Sequence, residues 1–158
     1  MAATFPSVTA PNLAGLKMRL PADFAGDLNL VLIAFQREQQ ADIDTWLEPG
    51  RRLTAEFPQL ACYELPVIGK MNPIFRRFIA EGMRSGIPDP RARAATITLH
   101  LDKPGFRAAL DLQREDSVYA LLVDRKGVVH WRAAGRCTDA AEVDLRERIG
   151  AGLGSPNP

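Results

Sequence analysis

The groups in this chain that could do covalent chemistry are few. Cys62 and Cys137 are its two thiols, and His100 and His130 its two imidazoles. No HxH, HExxH or CxxC spacing joins them, so no metal site is expected. No glycine-rich loop after a strand offers a phosphate cradle, and no cofactor is expected. No Ser–His–acid set is indicated by spacing. What remains is a recognition chemistry. In "VLIAFQREQQADIDTW" an apolar run passes directly into a polar helix start that carries Arg37, Glu38, Gln39 and Gln40. In an open α/β sheet the carboxyl ends of the strands form the usual binding edge. The same run also reads as a solvated helix start, in which Arg37 pairs with Glu38 and an acid is favoured by the helix dipole.

The bulk numbers narrow the classes. A chain of 158 residues fits one core. Hydrophobic residues make up 46% and charged residues 25%, as in globular proteins. The net charge of +1 argues against nucleic acid as a partner. No run is long and apolar enough for stable membrane insertion. No secretory or mitochondrial leader pattern is visible at "MAATFPSVTAPNLAGLKMRL", so a cytoplasmic location is expected. Two cysteines do not make a disulfide scaffold.

The elements that must position these residues follow from periodicity. Residues 1–27 read as an extended N-terminal segment packing on the domain. Residues 28–35, "LNLVLIAF", suit a strand covered on both faces. A helix over 39–57 follows, with Ile43, Trp46, Leu47, Leu53 and Phe57 at helical spacing; Pro49 should kink or restart it. Residues 61–68, "ACYELPVI", form a second strand whose ladder should end near Pro66. A helix over 72–84 is capped by Asn72, with Pro73 in its first turn. Ile74, Phe75, Phe78, Ile79 and Met83 share one face of it, while "SGIPDP" ends it. Residues 95–102, "ATITLHLD", alternate as a strand, with Ile97, Leu99 and Leu101 on one side. "KPGFRAAL" is a short helix. Strands 117–124 and 128–133 form a hairpin around Arg125, Lys126 and Gly127. "TDAAEVDLRERI" closes the domain as a helix capped by Thr138 or Asp139, with Ala141, Val143, Leu145 and Ile149 on its apolar side; the core domain spans 28–150 and 151–158 is a loose tail. Strand, helix, strand, helix, strand, helix, hairpin, helix gives one mixed five-stranded sheet with helices on both faces.

That order, with its terminal hairpin and closing helix, resembles the thioredoxin-like fold. The pieces "PADFAGDLNLVLIAF", "LHLD" and "YALLVDRKGVVHW" resemble the peroxiredoxin-type branch. "AFQREQQADIDTWLEPGRRLTAEFP" resembles a non-redox branch, the family of the mitochondrial ATP synthase assembly factor called ATPase-complex subunit ten, and its bacterial relatives. The resemblance implies a cysteine at the first strand–helix junction and a cis-proline before the hairpin. Neither is present: no cysteine lies between residues 28 and 57, and the second place reads Glu115, Asp116, Ser117.

The sheet order implied is 95–102, 61–68, 28–35, 117–124, 128–133. It puts Cys62 at the end away from the junction and Cys137 at the junction end. About 17 Å, one strand length, would separate them, against the roughly 7 Å that a disulfide spans. Cys62 reads as a small core residue. Cys137 reads as exposed, with Arg136 and the last helix start lowering its pKa. Arg37, Gln39, Asp102, Asp116 and Cys137 should converge on the binding edge. Trp131, on the edge strand, is a contact candidate or packs under the last helix. Two functions fit. One is a redox-inactive binding or assembly module that recognises an extended peptide or protein surface at 37–40 and serves a membrane complex, as the family implies. The other is a peroxiredoxin-like or glutathione-linked oxidoreductase using Cys137. A homodimer through the hairpin edge is a third option.

Overall fold

A computed structural model describes residues 3–70 and 73–153, with side chains for all of these except 73–78. The apolar run becomes β3 (Leu28–Ala34), buried along its length up to Ala34. It pairs in parallel with β4 (Leu60–Ile68) and antiparallel with β6 (Tyr119–Asp124). β5 (Leu99–His100) runs parallel to β4, and β7 (Val129–Ala134) antiparallel to β6. The order β5-β4-β3-β6-β7 is the one implied by the sequence pattern.

Alternation along the strands feeds two cores. Val31, Ile33, Leu65, Tyr119 and Leu121 face one layer, made by α4 (Lys103–Leu110) and an N-terminal hairpin of β1 (Val8–Pro11) and β2 (Lys17–Leu20). Phe5, Met18, Leu20 and Phe24 are buried there with Phe106, so the N-terminal segment supplies core. Leu28, Leu30, Leu32, Ala120 and Leu122 face the other layer, made by α1 (Gln40–Glu56) and α5 (Asp139–Leu153).

Several expectations are corrected. Pro49 does not break α1, which continues through it with Pro49 and Gly50 buried. The apolar face of Ile43, Trp46 and Leu53 holds the helix across the one missing amide. Gly50 lets α1 approach β4, since a Cβ there would meet Cys62 Sγ at 3.1 Å. Leu47 and Val143, expected inside, are 41% and 57% exposed. The strand expected at 95–102 keeps only Leu99–His100 and two isolated bridges, Thr96 to Glu64 and Ile97 to Asn12. Glu64 gives its N–H to Ala95 O and accepts from Ile97 N. The next amide due to point at this edge is that of Pro66, which has no N–H, so the ladder breaks there. The β3 ladder reaches its last pair at Ala34 and Pro66, as expected.

A helix α2 (Pro73–Gly86) follows β4; the proposed cap Asn72 lies outside the described residues, as do the side chains of Ile74, Phe75 and Phe78. A short α3 (Pro90–Ala94), capped by Asp89, was not anticipated in the sequence. α5 runs three residues into the supposed tail, with Thr138 Oγ1 accepting from Ala141 N at 3.1 Å. Residues 154–158 lie outside the described residues.

Candidate functional site

β3, β4 and the start of α1 leave a groove of about 960 Å³ on the α1 side of the sheet. Its floor is the carboxyl end of the parallel pair: Leu32 and Ala34 from β3, Glu64, Pro66 and Ile68 from β4. Ile43 of α1 and Ile79 and Met83 of α2 form apolar walls. Gln36, Arg37, Glu38 and Gln40 form the rim at the strand–helix junction, and Lys103 reaches it from α4. Arg37, Glu38 and Gln40 are exposed.

Gln39 is different. It is 5% exposed and turned inward. Its Oε1 accepts from Phe35 N at 2.8 Å and Gln36 N at 3.2 Å, while its Nε2 donates to Glu115 O at 2.9 Å. Lys103 Nζ adds a donation to Phe35 O at 2.8 Å and an ion pair with Glu115 Oε1 at 3.1 Å. Tyr119 closes the knot, its hydroxyl accepting from Arg114 N and donating to Arg114 O. The junction after β3 is thereby fixed to the loop before β6 by an amide and an ammonium. The resemblance expects a thiol at the first of these places and a cis-proline at the second. Polarity made Gln39 look like surface; only packing reveals it as a latch.

Glu64 was not singled out in the sequence, although an acid within "YELPVI" is a signal. It is partly buried, and its Oε1 accepts from Gln40 Nε2 at 3.3 Å, a donor shared with Asp44 Oδ1 at 2.9 Å. Burial pushes the Glu64 carboxyl above the ordinary glutamate range. The Gln40 amide pulls it down, and the Asp44 carboxylate adds to the rise.

The remaining candidates lie elsewhere. Asp102 does not line the groove: it caps α4, accepting from Gly105 N at 2.9 Å. Asp116 is held by Arg114 through two contacts of 2.7 Å. Trp131 is no edge contact. It is 9% exposed, meets Trp46 edge-on at 6.2 Å, and gives its N–H to Asp144 at 2.8 Å, because α5 covers this face of β7. Cys137 is partly buried beside α1, its N–H donating to Thr45 Oγ1 at 2.9 Å. The expected drop in its pKa is overturned. Burial and Glu142 push the thiol up, with Arg52 opposing, while Arg136 is turned to Asp42 at 2.9 Å. Both thiols are free. Cys62 packs against the α1–α5 core, and burial, with Glu64 adding, pushes it up to about 12.

A raised thiol pKa means less thiolate at any neutral pH, and reactivity that rises as pH rises. Maleimide at pH 8 should therefore label Cys137 first. Cys62 should react far more slowly in the folded protein than in urea, because burial both suppresses its thiolate and screens it from the reagent. Mass spectrometry of timed samples measures this, and equal folded-state rates would refute the placement.

Among the described residues no helix is long and apolar enough to cross a membrane. No protein-family model matches the sequence, and no curated protein is similar to it in sequence. Solved structures are similar in shape. BsSco, a member of the Sco family of cytochrome c oxidase assembly proteins, aligns over 98% of this chain and 96% of its own, with 13% identity and a TM-score of 0.63. The thioredoxin domain of a thiol-disulfide oxidoreductase from Bacteroides vulgatus aligns over 94% and 98%, with 15% identity and a TM-score of 0.55. A thioredoxin family thiol:disulfide interchange protein from Chlorobium tepidum aligns over 98% and 98%, with 12% identity and a TM-score of 0.54. At these identities the likeness is one of architecture, and the architecture of this chain is thioredoxin-like.

Proposed function

We propose that the chain is a binding module on a thioredoxin-like scaffold that takes a protein partner in the groove over β3 and β4 and performs no thiol chemistry there. The observation that carries this reading is Gln39. A buried amide, bonded to Phe35, Gln36 and Glu115, occupies the junction at which the scaffold's redox members would present a thiolate. The groove beside it is largely apolar, with charged groups at the rim, which suits a peptide or protein surface. Assembly work is one use of this scaffold, since one structural neighbour belongs to a family of oxidase assembly proteins. A role in assembling a membrane complex is what the resemblance to ATPase-complex subunit ten would imply.

The competing reading, an oxidoreductase using Cys137, requires a ready thiolate, and the surroundings of Cys137 oppose one. Insulin reduction by dithiothreitol and peroxide consumption should both run at the rate of the protein-free blank, with Cys137→Ser unchanged. Turnover above the blank that disappears in Cys137→Ser would overturn the proposal.

A further inference from the structure

We propose that the groove selects an apolar peptide segment carrying one basic side chain, Lys or Arg, whose cation pairs with Glu64. This rests on the binding-module reading and specifies its partner. The apolar part of the segment would lie on Ala34, Pro66, Ile43 and Ile79, with Met83 as an adaptable wall. The charge of the segment follows from the polar groups that face it.

Glu64 stands on the strand floor, between apolar residues, where an uncompensated carboxylate is costly. Its hydrogen-bond partner is a neutral amide at 3.3 Å, and among the described residues no cation stands within ion-pair distance of it. Lys103, the cation that reaches the same groove, is already engaged by Phe35 O and Glu115. Arg37 is exposed at the rim beside Glu38. Asp44 shares the Gln40 amide with Glu64 and adds negative potential. An acidic segment would meet Glu64 on the floor and Glu38 at the rim, with Lys103 already engaged and Arg37 out at the exposed rim. A neutral one would leave Glu64 covered and unmatched. A basic one satisfies it, and close charge pairs in a desolvated groove couple strongly.

Fluorescence anisotropy with short Ala/Leu/Val peptides, flanked by Gly-Ser and carrying a central Lys, norleucine or Glu, tests this. The Lys peptide should bind about tenfold more tightly than the norleucine peptide, equivalent to about 1.4 kcal/mol, and the Glu peptide more weakly than both. Glu64→Gln should abolish the difference between the Lys and norleucine peptides, by weakening the first, which loses its ion pair, and tightening the second, which no longer covers an unmatched carboxylate. Equal Lys and norleucine binding, a preference that survives Glu64→Gln, or no binding by any peptide would overturn the inference. A carbon-13 NMR titration of the Glu64 carboxyl in the unmutated protein gives an independent readout. The Lys peptide should lower the pH at which Glu64 titrates, and the norleucine peptide should not; no movement with Lys is a refutation. Peptide binding without charge preference would sink this inference and leave the binding module standing, whereas Cys137-dependent insulin reduction would sink the module itself.

Discussion

Gln39→Ala should destabilise the fold by about 3 kcal/mol, through two stranded amides and one stranded carbonyl at about 1 kcal/mol or more each. The Phe35 and Gln36 amides lose their acceptor and Glu115 O loses its donor. Phe35 is 2% exposed, so water cannot readily replace the lost partner. For a domain of this length the loss corresponds to a fall in Tm of about 6–12 °C. Gln39→Glu separates the two halves of the latch. It keeps the acceptor for Phe35 and Gln36, but as a carboxylate it cannot donate to Glu115 O. Gln39→Glu should therefore cost at least the one contact to Glu115 O, about 1 kcal/mol. Thermal melts of both variants at about pH 7 measure this. A Gln39→Ala change within about 0.5 kcal/mol of the parent would mean that the buried amide does not hold the junction.

Trp46→Ala should cost still more, about 4 kcal/mol, the range for emptying a buried aromatic site. Trp46 is 1% exposed and packs edge-on against Trp131, and its indole N–H donates to Gly135 O at 2.9 Å. Against a domain stability of about 5–15 kcal/mol that is a large fraction of the total. Trp46→Phe keeps most of the ring and loses the hydrogen bond, for about 1–2 kcal/mol. The indole, Thr45 and Asp42 together hold the loop that carries Cys137 to the first turns of α1. Both variants should therefore speed maleimide labelling of Cys137 before global unfolding, Trp46→Ala the more strongly. Urea melts followed by Trp131 fluorescence give the stability term. A cost below about 1 kcal/mol for Trp46→Ala, or unaltered Cys137 labelling, would contradict this packing.

Both predictions bear on what could be read in advance. Trp46 was legible as core, because it recurs with Ile43 and Leu53 at helical spacing and burial follows period. The order of the five strands was legible too, since an apolar run, two crossovers and a hairpin leave few right-handed solutions. Gln39 was not legible. A glutamine next to Arg37, Glu38 and Gln40 has the same composition whether it faces water or Phe35 N, and the difference depends on Glu115, far along the chain. Trp131 was ambiguous for the same reason: an edge strand shows one face to solvent unless a distant helix covers it, and α5 does.

The amino-acid order determined the local elements and their pairing, because apolar periodicity, proline and glycine positions and the hairpin turn act between near neighbours. Even the break in β5 was written there, in the missing amide of Pro66. The tertiary structure alone decided which polar residues remain available. Asp102 and Asp116 are engaged by local donors, Gln39 and Lys103 by distant carbonyls, and Cys137 by α1, while Glu64 is left on an apolar floor. Whether a polar group is free depends on partners that the chain brings together only when it folds, and that is why the groove became visible only in three dimensions.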